Sequence, residues 1–256
     1  MPSAPSLAVR KRRRDMFFLH PNVKPLELFD SKSSRLFGHL SEELECYKEI
    51  FRSYHFVMFL VSVSCLYSVL DVPYVFFFDH ATENLEINEQ EAKYLNVAIG
   101  IFNCASTTIL GFLSDTELFK RYLFVIYGIG MLGVAVSLAC ATFVTTFYGM
   151  LIVCAGFGSL ISTNYVMQSI LLTVLFDDMT YFQSAYSINS CCAGLATLLG
   201  PPVIGFVRDA TGTYKYVFLV ASILCAISGV ITIVIHATLE EDEDGEDDND
   251  NLQENN

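Results

Sequence analysis

Polar side chains recur at helical spacing inside long apolar stretches of this 256-residue chain. Residues three or four positions apart lie on one face of an α-helix, so such a group forms a polar patch. The patches are Asn103 with Thr107, Asn164 with Gln168, and Tyr186 with Asn189 and Ser190. In hydrocarbon, neutral hydroxyl and amide groups either line a solute cavity or bond to one another between helices. The sequence leaves both roles open for each patch.

Asp71 is an ionisable residue that lies within an apolar stretch, just before Pro73. A carboxylate in hydrocarbon is unfavourable unless it meets a partner or water, which makes Asp71 a candidate protonation or ion site. The alternative is that its side chain reaches the outer interface of a membrane. The sequence shows no His and Asp metal cluster, no Ser–His pairing and no phosphate-binding loop. We therefore expect no enzyme, no metal and no cofactor.

The polar residues lie within long runs that contain no charged residue, so the helices that these runs form determine where the polar side chains lie. Residues 122–176 contain no Asp, Glu, Lys or Arg, and 53% of the chain is hydrophobic. One crossing of a bilayer needs about 20 apolar residues, so this run alone predicts two spans. The chain is predicted to be an integral membrane protein, with the lipid bilayer as a partner. Six spans are expected, at approximately 55–77, 95–113, 122–142, 147–174, 182–207 and 216–237.

The distribution of Lys and Arg predicts how these spans are oriented, because cytoplasmic flanks carry the excess. Ten such residues precede the first span and two follow the second. The opposite side holds only Lys93, Arg208 and Lys215. We expect both termini in the cytoplasm, with the protein in the plasma membrane.

Two terminal segments flank the spans. Residues 1–53 are predicted to be a basic cytoplasmic segment with a short amphipathic helix. Its apolar positions at helical spacing are Leu40, Leu44, Tyr47 and Phe51. The basic run 10–14 suits anionic lipid headgroups or the setting of topology, and we expect no nucleic-acid partner. The formal net charge of −13 comes mostly from ten acidic residues after position 239, so residues 238–256 are predicted to be a disordered acidic tail.

A short internal sequence similarity relates the two halves of the spanning region. The second span ends in GFLSD at 111–115 and is followed by YLF at 122–124, whereas the fifth ends in GFVRD at 205–209 and is followed by YVF at 216–218. These spans hold equivalent places in two triplets but end on opposite sides of the membrane. This pattern predicts an all-α membrane protein of six transmembrane helices, built as two inverted three-helix repeats.

The segment GPPVIGFVRDATGTY at 200–214 resembles the GPP-x-x-G-x-x-x-D-x-T-G-x-Y junction of the monocarboxylate transporter family, within the major facilitator superfamily. Weaker matches are VPYVF at 72–76, GFLSD at 111–115 and SAY at 184–186. The resemblance covers about residues 54–237. It implies that the six spans are the C-terminal half of a twelve-span carrier, whose substrate binds between two halves that rock against each other.

The resemblance also implies gating or structural roles for the motif residues Gly111, Asp115, Gly200, Pro201, Pro202, Gly205, Asp209 and Gly212. Glycine permits close helix packing, and a carboxylate at the membrane edge caps a helix or pairs with a base. The alternative for these carboxylates is a simple turn at the end of a span. Pro201 and Pro202 are expected to break or kink the fifth span, because proline lacks a backbone donor.

The chain departs at two positions from the family that it resembles. Proton-coupled members carry an Asp in the span that matches the second one here, and four residues later an Arg that holds the substrate carboxylate. When the motifs are aligned on Gly111, these positions are Asn103 and Thr107. Without the forked donors of an arginine, the proton-coupled monocarboxylate mechanism does not carry over. We expect a neutral or zwitterionic solute, or ionic chemistry in the absent half.

Alternating-access transport of a small organic solute is the leading interpretation, and a non-transporting scaffold or regulatory half-transporter is the alternative. Partners are expected to be the solute and either a missing N-terminal six-span half or a second half-transporter. The chain is either a truncated gene model or a functional half, and sequence upstream of Met1 would distinguish them. The substrate, coupling ion, direction and oligomeric state do not follow from these residues.

Overall fold

A computed structural model describes residues 45–116, 119, 121–176 and 178–254. The described secondary structure is helical, with six helices that are long and apolar enough to cross a membrane. We number them span 1 to span 6, and they cover Tyr54–Glu83, Glu89–Ser114, Leu123–Ala141, Phe147–Leu175, Tyr181–Thr211 and Tyr214–Glu241. The prediction of six spans is confirmed, with boundaries that lie within a few residues of the expected ones.

The segments before span 1 and after span 6 are only partly described by the structure. A short helix covers 45–52, within the predicted amphipathic region, and the basic run 10–14 lies outside the described residues. The helix of span 6 continues from Tyr214 to Glu254, so it includes most of the acidic segment that we expected to be disordered. A helix already nucleated in the membrane extends without a second nucleation cost, which favours this continuation.

Packing between the spans follows an internal exchange symmetry. Span 3 packs extensively against span 6, span 2 against span 4, and span 1 against span 5. Spans 3 and 4 also pack together, as do spans 1 and 6. Exchanging spans 1, 2 and 3 with spans 4, 5 and 6 leaves the pair of spans 3 and 6 unchanged and converts each of the other pairs into another of them. The two triplets are therefore arranged as inverted repeats.

Glycine allows the closest of these helix contacts. A Cβ atom built on Gly158 of span 4 would overlap the carbonyl oxygen of Ile99 in span 2. On span 3, a Cβ atom at Gly128 would lie 2.9 Å from the carbonyl oxygen of Gly229 in span 6. Backbone atoms cannot move away as a flexible side chain can, so these spans pack this closely only with glycine.

The helix break lies in span 1 rather than in span 5. Span 1 consists of helices Tyr54–Tyr67 and Val72–Glu83 joined by a turn, whereas helix Met179–Thr211 runs through both prolines without interruption. The prolines therefore do not break span 5, and a kink at Pro201 and Pro202 stays a prediction. A Cβ atom at Gly200 would overlap the Ser68 carbonyl oxygen, so the turn of span 1 packs directly on the span that carries the prolines.

Three other motif glycines have different surroundings. A Cβ atom at Gly111 or Gly205 would meet nothing within 4 Å, so neither supports the close approach to a neighbouring helix that we expected within this chain. Gly212 has a φ of +65°, and its N–H donates to the Arg208 carbonyl oxygen at 2.8 Å. Glycine suits this left-handed position, which ends span 5 before span 6 begins.

Spans 2 and 5 are the least covered by the rest of the structure. They bury 6% and 17% of their most apolar segments, whereas the other four spans bury between 44% and 56%. Because the two spans are equivalent under the repeat, their exposure reflects the same position in each triplet. They present a broad uncovered face.

We expect Gly158→Ala to destabilise the fold, because the new methyl group overlaps the backbone of Ile99 and forces spans 2 and 4 apart. Overpacking of this kind costs about 1–3 kcal/mol, which predicts a fall of several degrees in the thermal unfolding midpoint of the detergent-purified protein. The matched control is Gly205→Ala, which has open space around it and should keep or slightly raise the midpoint. Equal midpoints for the two variants would contradict the close approach.

Candidate functional site

A string of hydrogen bonds connects spans 3, 4 and 1 in the middle of the bundle. The hydroxyl of Tyr127 donates to Oδ1 of Asn164 at 2.9 Å. Nδ2 of Asn164 donates to the hydroxyl of Tyr67 at 3.3 Å, and that hydroxyl donates to Oε1 of Gln168 at 2.7 Å. Tyr127 and Asn164 are both fully buried. The polar patch of span 4 therefore bonds to its neighbours on one side.

The other end of the string opens into a cavity of about 340 Å³ between spans 1, 4 and 5. The lining residues are Tyr67, Gln168, Tyr186, Asn189, Ser190, Ala193, Gly194 and Thr197. Cavities of about 300–1,000 Å³ that combine apolar walls with a few polar groups are typical binding sites for small molecules. None of these lining residues carries a charged side chain, so the cavity suits a small molecule without net charge.

Asn189 distinguishes this cavity from an ordinary helix contact. Its side chain is 1% exposed, and its Oδ1 makes no hydrogen bond within the described part of the chain. An unpaired buried acceptor is costly, and buried polar groups almost always have a partner. This unmet acceptor lies beside the cavity and is closed to solvent in this conformation.

The structure brings together some of the predicted residues but not all of them. Gln168, Tyr186, Asn189 and Ser190 line one cavity, and Asn164 lies behind it. Asn103 and Thr107 are half-buried on span 2, where the Thr107 hydroxyl donates to Oδ1 of Asn103 at 3.0 Å. They do not line this cavity, and their pairing satisfies part of their own hydrogen-bonding capacity.

Sequence reasoning missed Tyr67, Thr197 and Tyr127. Tyr127 and Thr197 lie in apolar runs without a polar neighbour at helical spacing, whereas Tyr67 has Asp71 four residues after it, a residue considered only as an ion site. A tyrosine in such a run cannot be told from a core aromatic residue by pattern alone. The signal that could have found the two tyrosines is chemical, because a buried phenol still needs a hydrogen-bond partner.

Asp71 lies at the end of the turn that divides span 1. It is half-buried, and its carbonyl oxygen accepts from the N–H of Val75 at 3.1 Å while its side chain makes no capping bond. It is not among the lining residues of the cavity. The structure therefore keeps this candidate ion site apart from the candidate solute site.

A second polar group joins the ends of three spans. Nη2 of Arg208 in span 5 lies 2.9 Å from Oε2 of Glu83 in span 1 and 2.9 Å from the Tyr214 hydroxyl in span 6. The Tyr214 hydroxyl donates to Oε2 of Glu83 at 2.8 Å, and the guanidinium lies over the tyrosine ring, 5.0 Å from its centroid. Asp209 contacts Arg208 at 3.4 Å. The 200–214 motif thus supplies a cation and a phenol that hold span 1 at this end of the bundle.

We expect two asparagine-to-leucine substitutions to have opposite effects on stability. Asn189→Leu removes an unpaired buried acceptor and should raise the thermal midpoint of the purified protein, because that penalty is about 1–3 kcal/mol. Asn164→Leu leaves the Tyr127 hydroxyl without its acceptor and should lower the midpoint by a similar amount. Differential scanning fluorimetry in detergent measures both. A lower midpoint for Asn189→Leu would show that its oxygen has a partner in the folded state.

Comparison with known proteins agrees with this architecture. Residues 54–253 match the family model described as Major Facilitator Superfamily. Monocarboxylate transporter 4 of Mus musculus is 24% identical over 185 residues, which cover 72% of this chain and 39% of that protein. Monocarboxylate transporter 14 of Homo sapiens is 25% identical over 190 residues, covering 73% and 36%. Monocarboxylate transporter 12 of Xenopus laevis is 24% identical over 220 residues, covering 82% and 47%.

The chain spans less than half the length of each of these relatives. The family model, however, covers well over half of this chain and includes all six spans. The inverted three-helix repeats and the 200–214 motif agree with that match. The chain is a multi-pass membrane protein that belongs to the Major Facilitator Superfamily, and within it the chain is similar to monocarboxylate transporters.

Proposed function

We propose that this chain forms the C-terminal half of a solute carrier that moves a small organic molecule by alternating access. The observation that carries the proposal is the polar cavity between spans 1, 4 and 5, whose lining includes Gln168, Tyr186 and Ser190. Hydrogen-bonding groups facing a cavity inside an apolar bundle are unfavourable unless they meet a solute or water. Carriers of this kind bind their substrate near the midplane, between two halves.

A second six-span half is the proposed partner of this chain. The chain matches 36% to 47% of its relatives' lengths, and spans 2 and 5 present an uncovered face. An N-terminal half of the same polypeptide or a second half-transporter would cover that face and close the cavity. In this arrangement, Asn103 and Thr107 on span 2 would face the interface between the halves rather than the cavity described above.

The proposed solute is neutral or zwitterionic. The described lining of the cavity has amide, hydroxyl and phenol groups but no cation that would hold a free carboxylate. Asn103 and Thr107 also stand at the positions where the family resemblance implies an Asp and an Arg. An anion would therefore lose its hydration without gaining a charged partner, which is strongly unfavourable in a low-dielectric site.

The motif at 200–214 is proposed to hold one conformation of the transport cycle. Arg208 and Tyr214 bond to Glu83 at one end of the bundle, which we place on the outer side of the plasma membrane by the distribution of Lys and Arg. Release of these contacts would free span 1 to move. Asp71, at the turn of the same span, is proposed as a protonation or ion site that is separate from the solute site.

Uptake of labelled solutes into cells that express the full-length protein tests the function. We expect uptake of at least one neutral or zwitterionic probe from a series of amino acids and amides, and little pH-driven uptake of lactate, because the cavity offers no cation. Asn189→Leu should lower uptake at least several-fold while the protein remains folded. Strong proton-driven lactate uptake would contradict the assigned solute class. Absence of uptake for every probe would favour the non-transporting scaffold.

Epitope tags on the two termini test the orientation. Because six spans place both ends on one side and Lys and Arg favour the cytoplasm for that side, neither tag should bind antibody on intact cells. Both tags should bind after the plasma membrane is permeabilised. A tag that is accessible on intact cells would reverse the assignment of the Glu83–Arg208 contact to the outer side.

A further inference from the structure

Tyr127 and Asn164 belong to the hydrogen-bond string but do not line the cavity. Both side chains are fully buried, so no solute can touch them. They are connected through Tyr67 to Gln168, which does line the cavity. Any effect that they have on a bound solute must therefore pass through Tyr67 or Gln168, which both line the cavity.

Tyr127, at the buried end of the string, determines which group donates in each of its hydrogen bonds. A neutral tyrosine hydroxyl has one proton to donate. Within the described part of the chain, the Tyr127 hydroxyl has a single hydrogen bond, to Oδ1 of Asn164. If the Asn164 amide were turned over, its NH₂ group would face Tyr127, and the tyrosine proton would have no acceptor. An unmet donor in a buried site is strongly disfavoured, so Oδ1 of Asn164 must face Tyr127.

The orientation of the Asn164 amide determines which groups donate and which accept in the rest of the string, as far as the cavity. Because Nδ2 of Asn164 donates to the Tyr67 hydroxyl, the Tyr67 proton is directed to Oε1 of Gln168 at 2.7 Å. The Gln168 oxygen is thereby occupied. Its amide nitrogen makes no hydrogen bond with any residue that the structure describes, and both of its protons remain available to a solute.

We infer that Tyr127 and Asn164 are positioning residues that orient the Gln168 amide, so that its nitrogen donates into the cavity and the solute must present an oxygen acceptor there. This inference rests on the proposed function and narrows its solute class. With no charged side chain in the described lining, the acceptor is the carbonyl of a neutral molecule or the carboxylate of a zwitterion. The hydroxyls of Ser190 and Thr197 add further donors.

A double-mutant cycle of Tyr127→Phe and Gln168→Met tests this inference in cells that express the full-length protein. The probes are labelled glycine, alanine, leucine, phenylalanine, nicotinamide, lactate and pyruvate, and the cycle uses those that the unmodified protein takes up. Each single substitution should raise KM about 3- to 10-fold, the value of one neutral hydrogen bond, at nearly unchanged maximal rate per folded protein. In the Gln168→Met background, Tyr127→Phe should change KM less than about twofold, because the amide that it orients is gone.

The matched control is Tyr148→Phe, which removes the hydroxyl of a largely exposed tyrosine at the start of span 4 and should leave KM unchanged. If Tyr127→Phe does not fold, Tyr67→Phe breaks the next link of the string. Because Tyr67 also lines the cavity, its effect on KM supports the inference only if it disappears in the Gln168→Met background. A purely structural role would lower the maximal rate through lost protein and would leave KM unchanged.

Independent, multiplicative effects of the two substitutions on KM would overturn the inference but not the proposed transport function. Uptake of lactate or pyruvate alone would overturn the neutral or zwitterionic class, and uptake of no probe would overturn the proposed function.

Discussion

The absence of water in the hydrocarbon layer governs this structure, because a polar group there must find its partner within the protein. Spans 1 and 6 meet this requirement fully at one contact. The Ser62 hydroxyl lies 2.9 Å from the Ser228 hydroxyl and 3.0 Å from that of Thr232, and all three residues are buried. At the cavity, by contrast, the Gln168 amide nitrogen has no hydrogen-bond partner among the residues that the structure describes. In the proposed function, the first kind of polar group holds helices together and the second binds the solute.

The same constraint explains how helix packing supports the cavity. Lipid tails are as apolar as the helices, so close approach at glycine and hydrogen bonds hold the bundle together. Gly158 against Ile99 brings span 4 close to span 2, and Gly200 against Ser68 brings span 5 close to span 1. The two helix pairs are equivalent in the repeat. Together these contacts hold spans 1, 2, 4 and 5 close to one another, and in the proposed carrier a partner half would cover the exposed faces of spans 2 and 5.

The sequence predicted those features of the structure that have a strong physical signal in a bilayer, and it missed those that do not. A charge-free run such as 122–176 has few solutions in a bilayer, so the spans could be predicted closely. Amides and hydroxyls at helical spacing are conspicuous in hydrocarbon, and four of the predicted residues meet in one cavity. Tyr67 and Tyr127 could not be found this way, because the pattern of an aromatic residue does not show whether its hydroxyl is used. The break in span 1 has no proline at 68–71, whereas Pro201 lies within an intact helix.

Water access to the cavity tests the central claim most directly. In a protein whose eight native cysteines are replaced, Ser190→Cys places a thiol in the cavity, and Val136→Cys places one on an exposed apolar position of span 3. A charged methanethiosulfonate reagent attacks only thiolates that water can reach. The account predicts that the thiol at position 190 in the full-length membrane protein reacts and that the thiol at position 136 does not. Equal inertness of both thiols would show that the cavity is sealed from water, and it would contradict a solute pathway through this half.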